Sequence, residues 1–146
     1  MIRIVGLGPG DPDLLTLGSL EALRAVGRAT TVLAPPELGL FLQSEGIELV
    51  RDIVERPALF MRGSSEAIAH FVGKLDERDL GLGILRNPLP DFPGLPVLSR
   101  ALETRGVAAE IVPGMPRATL SAAIAMPLVP LPPGSEHHSW HDLVEI

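Results

Sequence analysis

The sequence contains no cysteine in its 146 residues. That absence removes disulfides, thiolate metal ligands and a cysteine nucleophile together, and it suits a reducing compartment. Lysine is nearly missing as well: Lys74 stands alone, the arginines are scattered, and the net charge is −6. Binding a nucleic-acid backbone takes clustered basic side chains that displace counterions, so nucleic acid is not an expected partner. Long apolar runs are also lacking. The most apolar stretch, Ala118–Leu131, is broken by Pro127 and Pro130, and it falls short of the ~20 residues a membrane helix needs. The opening residues MIRIVGLGPG reach glycine too soon for a secretory signal. A cytoplasmic protein without membrane contact is expected.

What is present is enough apolar material for one core. Hydrophobic residues make up 46% and charged residues 21%, with a mean hydropathy of +0.31, which excludes wholesale disorder. Strand and helix signals alternate along the chain. Ile2–Gly6 is a short buried-strand run ending in glycine, and Leu17, Leu20, Leu23 and Val26 then recur at helical spacing between Thr16 as cap and Gly27 as stop. Ala29–Leu33 reads as a second strand, Glu37–Ser44 as a short helix and Glu48–Ile53 as a third strand. Ile68, Phe71, Val72 and Leu75 mark a helix face, and Ser64-Ser65 reads as its cap. Leu80–Leu85 is a fourth strand whose glycines suggest a closely packed neighbour. Leu95, Leu98, Ala101 and Leu102 give a helix stopped by Gly106, Val107–Val112 a fifth strand, and Ala118–Ala125 a small helix. Such alternation implies right-handed βαβ units. The expected fold is a three-layer α/β domain, with a five-stranded, mainly parallel sheet and helices on both faces.

The segment Gly6–Leu17, GLGPGDPDLLTL, follows the first strand directly. In open parallel sheets ligands bind at the carboxyl ends of the strands, and glycines there let the backbone turn and approach a ligand. A dinucleotide fingerprint needs its third glycine one place later than Gly10, and Pro9 lacks the N–H that would cradle a pyrophosphate. A P-loop needs a Gly-Lys pair, and no lysine precedes Lys74. Neither nucleotide motif is met.

The run GLGPGDPDLLTLGSLEALR resembles the opening of the tetrapyrrole (corrin/porphyrin) methylases, S-adenosylmethionine-dependent enzymes built of two α/β domains. The likeness extends more weakly through EIVPG at Glu110–Gly114, so that residues 1–128 correspond to the N-terminal half of such an enzyme. The resemblance implies that adenosylmethionine is the cofactor, held between the two halves. It implies that Pro9, Pro88, Pro113 and Gly114 line the donor site, while Gly8, Gly10 and Asp11 shape the loop facing the methyl acceptor. No catalytic residue is assigned. Where the family has a Gly-Asp-Pro or Gly-His-Pro turn after the fourth strand, this chain has Leu85-Arg86-Asn87-Pro88. An arginine there opposes a sulfonium cation unless its side chain points away. Ala34-Pro35 likewise stands where porphyrin-type members tend to carry an acid. Without a second half, the donor would be poorly positioned and methyl transfer impaired.

Beyond residue 128 the composition changes. Residues 129–138 read as a proline-rich linker, and Ser139 with Asp142 reads as a capping box opening a helix over 139–146. Trp140–Ile146 resembles the first helix of MazG-type nucleoside triphosphate pyrophosphohydrolases. That likeness implies an alternative role as a non-catalytic positioning or regulatory domain for a hydrolase beyond Ile146. His137 and His141 would share a metal only if helical; with His138 they read better as a polar linker, and no metal is expected. His70 reads as a boundary residue, and Asp76, Glu77 and Asp79 as a solvated turn. Arg86 and Asp91 flank a proline-rich loop and suggest either a new site or a salt bridge pinning it. The segment Met115–Leu131, with Leu120, Ile124 and Leu128 and only Arg117 charged, is the expected interface of a homodimer.

Overall fold

The apolar run Ile2–Gly6 forms strand β1, inside the sheet, in a computed structural model that describes residues 1–114. Helix α1, Leu17–Val26, starts where the Thr16 hydroxyl accepts the Ser19 N–H at 3.1 Å, and it ends at Gly27 in the left-handed conformation. The chain continues through β2 (Arg28–Val32), α2 (Pro36–Ser44), β3 (Glu48–Leu49), α3 (Pro57–Arg62) and α4 (Ser65–Gly73). Then follow β4 (Leu80–Ile84), the single turn α5 (Pro88–Asp91), α6 (Leu95–Arg105) and β5 (Ala109–Val112). All pairings are parallel, in the order β3-β2-β4-β1-β5, with Ile4 of β1 opposite both Leu82 of β4 and Ile111 of β5.

Side-chain alternation builds a layer on each face. Ile2 and Ile4 join Leu80, Leu82 and Ile84 beneath α4 and α6, where Phe60 sits edge-on to Phe71 and stacked on Phe92. Val5 and Ala29 face the other way, against Ala22 and Leu23 of α1 and Leu38 and Leu42 of α2. The alternating LGLGI of β4 serves both layers. Its leucines fill the first, while a Cβ at Gly81 would lie 2.7 Å from Leu23 Cδ2, so glycine lets α1 settle close to the sheet. The expected three-layer α/β fold is present, and the sheet is wholly parallel.

Several boundaries differ from the sequence reading. β2 stops at Val32 because Leu33 turns left-handed, with φ +56°. β3 keeps only Glu48–Leu49 of the six residues expected, because the chain peels away over 51–56. There Lys74 Nζ, just past α4, donates to the Asp52 carbonyl at 2.9 Å and to Glu55 Oε1 at 3.2 Å. β4 ends at Ile84 and β5 begins at Ala109 rather than Val107. Helix α3 was missed, its six residues being too few to show a period, although Pro57 at its start and Gly63 at its stop mark its ends. Ser64 does cap α4, accepting the Ala67 N–H. The Ala118–Ala125 helix, the linker, the 139–146 helix, the three late histidines and the Met115–Leu131 face lie outside the described residues.

The acidic turn after α4 is exposed yet paired. Asp76 meets Arg28 at 3.2 Å and Arg78 at 3.0 Å, and the N-terminal ammonium meets Asp79 at 3.0 Å. His70 is exposed and its Nε2 lies 3.1 Å from Glu55 Oε1, so Glu55 holds the 51–56 segment to α4 through two partners. The Lys74 hydrogen bond, followed by the charge of His70, keeps the Glu55 carboxyl below its usual 4.5. A carboxyl depressed on folding adds stability above its unfolded value and loses it as the pH falls through the folded one. Glu55→Gln is therefore expected to melt slightly below the native protein at neutral pH. The gap should shrink once the pH drops below 4.5, and thermal melts across an acid series would measure it. A gap independent of pH would refute the ionic account.

Candidate functional site

β1 and β4 are neighbours, but the chain leaves β1 toward β2 and leaves β4 toward β5. The two crossovers run over opposite faces, α1 on one and α6 on the other. This makes the carboxyl ends of β1 and β4 a topological switch point, where open α/β sheets leave a crevice. The glycine loop expected to bind a ligand lies on one side of it.

Three loops converge there with almost no side chain between them. Leu7 N–H donates to the Ile84 carbonyl at 2.8 Å and Gly8 N–H to the Arg86 carbonyl at 3.2 Å, and Arg86 N–H returns a short bond to the Gly8 carbonyl. The loop after β1 is thus zipped to the loop after β4 by an antiparallel bridge. The loop after β5 closes the third side: a Cβ on Gly6 would lie 2.3 Å from the Gly114 nitrogen, and one on Gly114 would lie 2.5 Å from the Arg86 oxygen. No residue but glycine fits either position. Gly10, at φ +102°, then brings the first loop against Pro35 beyond β2.

A buried serine ties this junction to α1. Thr16 Oγ1 donates to Ser19 Oγ at 2.8 Å, and Ser19 Oγ donates to the Gly6 carbonyl at 2.7 Å, with the Pro113 carbonyl 3.4 Å away. Ser19 has no exposed surface. Sequence reasoning missed it, since one serine in a helix carries no motif. Its separation of three residues from the capping Thr16 was the available signal.

The residues expected to form the site fall together. Gly8 and Gly10 are buried, Pro9 is half-buried and Asp11 is exposed on the first loop, while Pro113 and Gly114 lie across the Gly6 contact. Pro88 is buried in α5, which packs against β1. Among the described residues, the Gly10 and Asp11 N–H groups donate to nothing. The Asp11 carboxylate accepts from Asp13 N–H at 2.9 Å, and Asp91 Oδ2 accepts from Asn87 N–H at 3.1 Å. The expected alternative of an Arg86–Asp91 salt bridge is absent among the described residues, because Asp91 is turned onto its own loop's backbone.

Backbone strain gathers on the same edge. Among the described residues, the non-glycine residues with positive φ, Leu33, Asp52 and Arg86, follow β2, β3 and β4. Such residues cost energy and collect at ligand sites. Beside β2, where β3 stops early, a polar cavity of about 210 Å³ opens between Thr30, Thr31, Arg51 and Asp52. No group of three His, Asp or Glu side chains able to hold a metal occurs among the described residues, and none of their helices is long and apolar enough to cross a membrane.

No family model and no curated protein matches the chain. Solved structures do. Uroporphyrin-III C-methyltransferase of Thermus thermophilus is 28% identical, with a TM-score of 0.60 over 88% of this chain and 54% of that one. This is the fold of the tetrapyrrole methylases. Another structure of the Thermus enzyme, complexed with S-adenosyl homocysteine, gives 23% identity and a TM-score of 0.58 over 88% of this chain and 50% of that one. A cobalt precorrin-4 methyltransferase gives 24% and 0.56, over 88% of this chain and 52% of that one. The chain spans about half the length of these structures.

Ser19→Ala leaves the Gly6 carbonyl and the Thr16 hydroxyl without their buried partner, a change expected to cost about 1–3 kcal/mol. Amide exchange at Leu7 and Gly8 should quicken more than at α4 or α6. Uniform loss of protection across the protein would count against a local role for Ser19.

Proposed function

We propose that this chain is an S-adenosylmethionine-dependent tetrapyrrole methylase-type domain whose crevice at the carboxyl ends of β1, β4 and β5 receives the methyl donor. The observation that carries the reading is the side-chain-free convergence of Gly6, Gly8 and Gly114 at the switch point. The fold it shares with a methyltransferase solved with S-adenosyl homocysteine supports it. The residues present suit a nucleoside bearing an amino-acid tail: half-buried Pro9 and buried Pro88 give apolar walls, and the Gly10 and Asp11 N–H groups offer donors without a partner among the described residues. Pro9, Pro88, Pro113 and Gly114 would hold the donor, and Gly8, Gly10 and Asp11 would face the acceptor. Bound there, adenosylmethionine supplies an electrophilic methyl group. The chain's own part is to orient the donor and to exclude water from one side.

Arg86 favours a second reading, in which the domain positions or regulates a MazG-type pyrophosphohydrolase instead of transferring methyl groups. A fixed positive charge at the crevice opposes a sulfonium. Titration calorimetry with adenosylmethionine should therefore return a constant weaker than micromolar, and a micromolar one, about −8 kcal/mol, would show the crevice complete in this chain. The methylase reading fails if millimolar adenosylmethionine leaves the amide resonances of Gly8 and Gly10 unmoved.

Assembly is part of the proposal. The apolar segment Met115–Leu131 is assigned to a homodimer interface, since closed two-fold pairing is the commonest way to bury such a face. Light scattering should report a dimer, and Ile124→Glu with Leu128→Glu a monomer. A monomeric native chain at high micromolar concentration would refute this.

A further inference from the structure

Past Ala29, strand β2 runs on without a strand partner on its outer side. The Gly27 and Ala29 carbonyls accept the Glu48 and Val50 N–H groups at 2.9 and 2.7 Å. Main-chain groups alternate in direction along a strand, so Thr31 is the next residue to face that side. Among the described residues, neither its N–H nor its carbonyl bonds to the 50–54 segment, and the pairing with β3 ends at Ala29 and Leu49. Leu33, at φ +56°, then ends the strand. One donor and one acceptor of the sheet are left unused.

The segment that would have covered them is held away. Ile53 is buried in the layer beneath α4 and α6, Lys74 holds the Asp52 carbonyl at 2.9 Å, and His70 and Lys74 both hold Glu55. The gap between this segment and β2 is the cavity of about 210 Å³, walled by Leu49, Val50 and Val54 and edged by Arg51 and Asp52. Thr30 lines it and is only 4% exposed. The Thr30 hydroxyl has no partner among the described residues. Of those residues, only Arg3 and Arg28 have a side-chain polar atom both sealed from solvent and unpartnered. The Thr30 oxygen therefore reaches open space, and the open space it lines is this cavity.

Three hydrogen-bonding groups thus meet one cavity: the Thr31 N–H as donor, the Thr31 carbonyl as acceptor, and a hydroxyl that serves as either. Arg51 and Asp52 at the rim are exposed and opposite in sign, so the rim selects no ion of one charge. The complement of such a set is a neutral group with an N–H beside a C=O, which is an amide. A cavity of about 150 Å³ already holds benzene, so the space here suits one ring bearing that amide. We propose that this notch on the outer flank of β2 binds an uncharged, one-ring carboxamide or lactam. The ligand pairs with the Thr31 main chain as a further strand would, and it takes the Thr30 hydroxyl as a third contact. The notch faces away from β4 and the switch point, so the proposal stands independently of the methylase reading.

The test uses the full chain and two probes of similar size: benzamide, with an amide donor and acceptor, and N,N-dimethylbenzamide, with the acceptor alone. Benzamide should move the Thr31 N–H resonance saturably and bind at least about fivefold more tightly than its dimethyl analogue, the effect of one neutral hydrogen bond. Thr30→Val keeps the shape of the side chain and removes the hydroxyl. It should weaken benzamide by a similar factor without lowering the melting temperature, because that hydroxyl has no partner among the described residues. Val54→Trp, which fills the cavity from its wall, should abolish binding while the Gly8 and Gly10 resonances stay in place. A merely structural Thr30 would lower the melting temperature on replacement and leave benzamide affinity unchanged, and that result overturns the proposal. Equal binding of the two probes overturns it as well. So does a Thr31 resonance unmoved by benzamide at its solubility limit, which would mean that the cavity holds water only.

Discussion

The architecture depends on a backbone-to-backbone contact in which β1, β4 and β5 end against one another. Gly6 and Gly114 let the loops approach closer than any side chain allows, and the Gly8–Arg86 bridge zips two of them together. Because main-chain groups rather than side chains fill the junction, their hydrogen bonds must close among themselves. Ser19 completes them by reaching from the first turns of α1 to the Gly6 carbonyl. The position of α1, and through Leu23 its seating on β4, follows from that junction.

The two edges of the sheet carry opposite kinds of order. At the amino edge most charges are paired, although the buried Nε atoms of Arg3 and Arg28 have no hydrogen-bond partner among the described residues: Arg28 reaches Asp76 and the Asp79 carbonyl, Arg3 lies 3.7 Å from Glu110, and the chain terminus meets Asp79. At the carboxyl edge, strain and unused donors accumulate: Leu33, Asp52 and Arg86 sit at positive φ, and the Gly10 N–H stands without an acceptor among the described residues. Stability invested at one end and withheld at the other is the pattern expected of a scaffold that presents a site on its loops.

Much of this was legible in the sequence because it rests on local physics. The leucine spacing after Thr16 and the stop at Gly27 reported α1, since capping and periodicity act within a few residues. The alternation of LGLGI reported both a strand and a close neighbour. Where the reading erred, a distant group decided. β3 is cut short where Lys74, more than twenty residues on, captures the Asp52 carbonyl. Asp91, suspected as a partner of Arg86, is instead held by the Asn87 N–H, an outcome that depends on how one turn packs against β1.

By itself the sequence determined the alternation of strands and helices, the two-faced burial that makes a parallel α/β layer, and the glycine loop as the place to look. Periodicity, capping and steric freedom are properties of neighbouring residues, so they survive without coordinates. The tertiary structure alone decided that Gly6, Arg86 and Gly114 share one junction, that Ser19 is its buried tie, and that Arg86 keeps a left-handed backbone. Those facts depend on strand order and crossover direction, which bring residues far apart in the chain to the same edge. No local pattern encodes which loops will meet there.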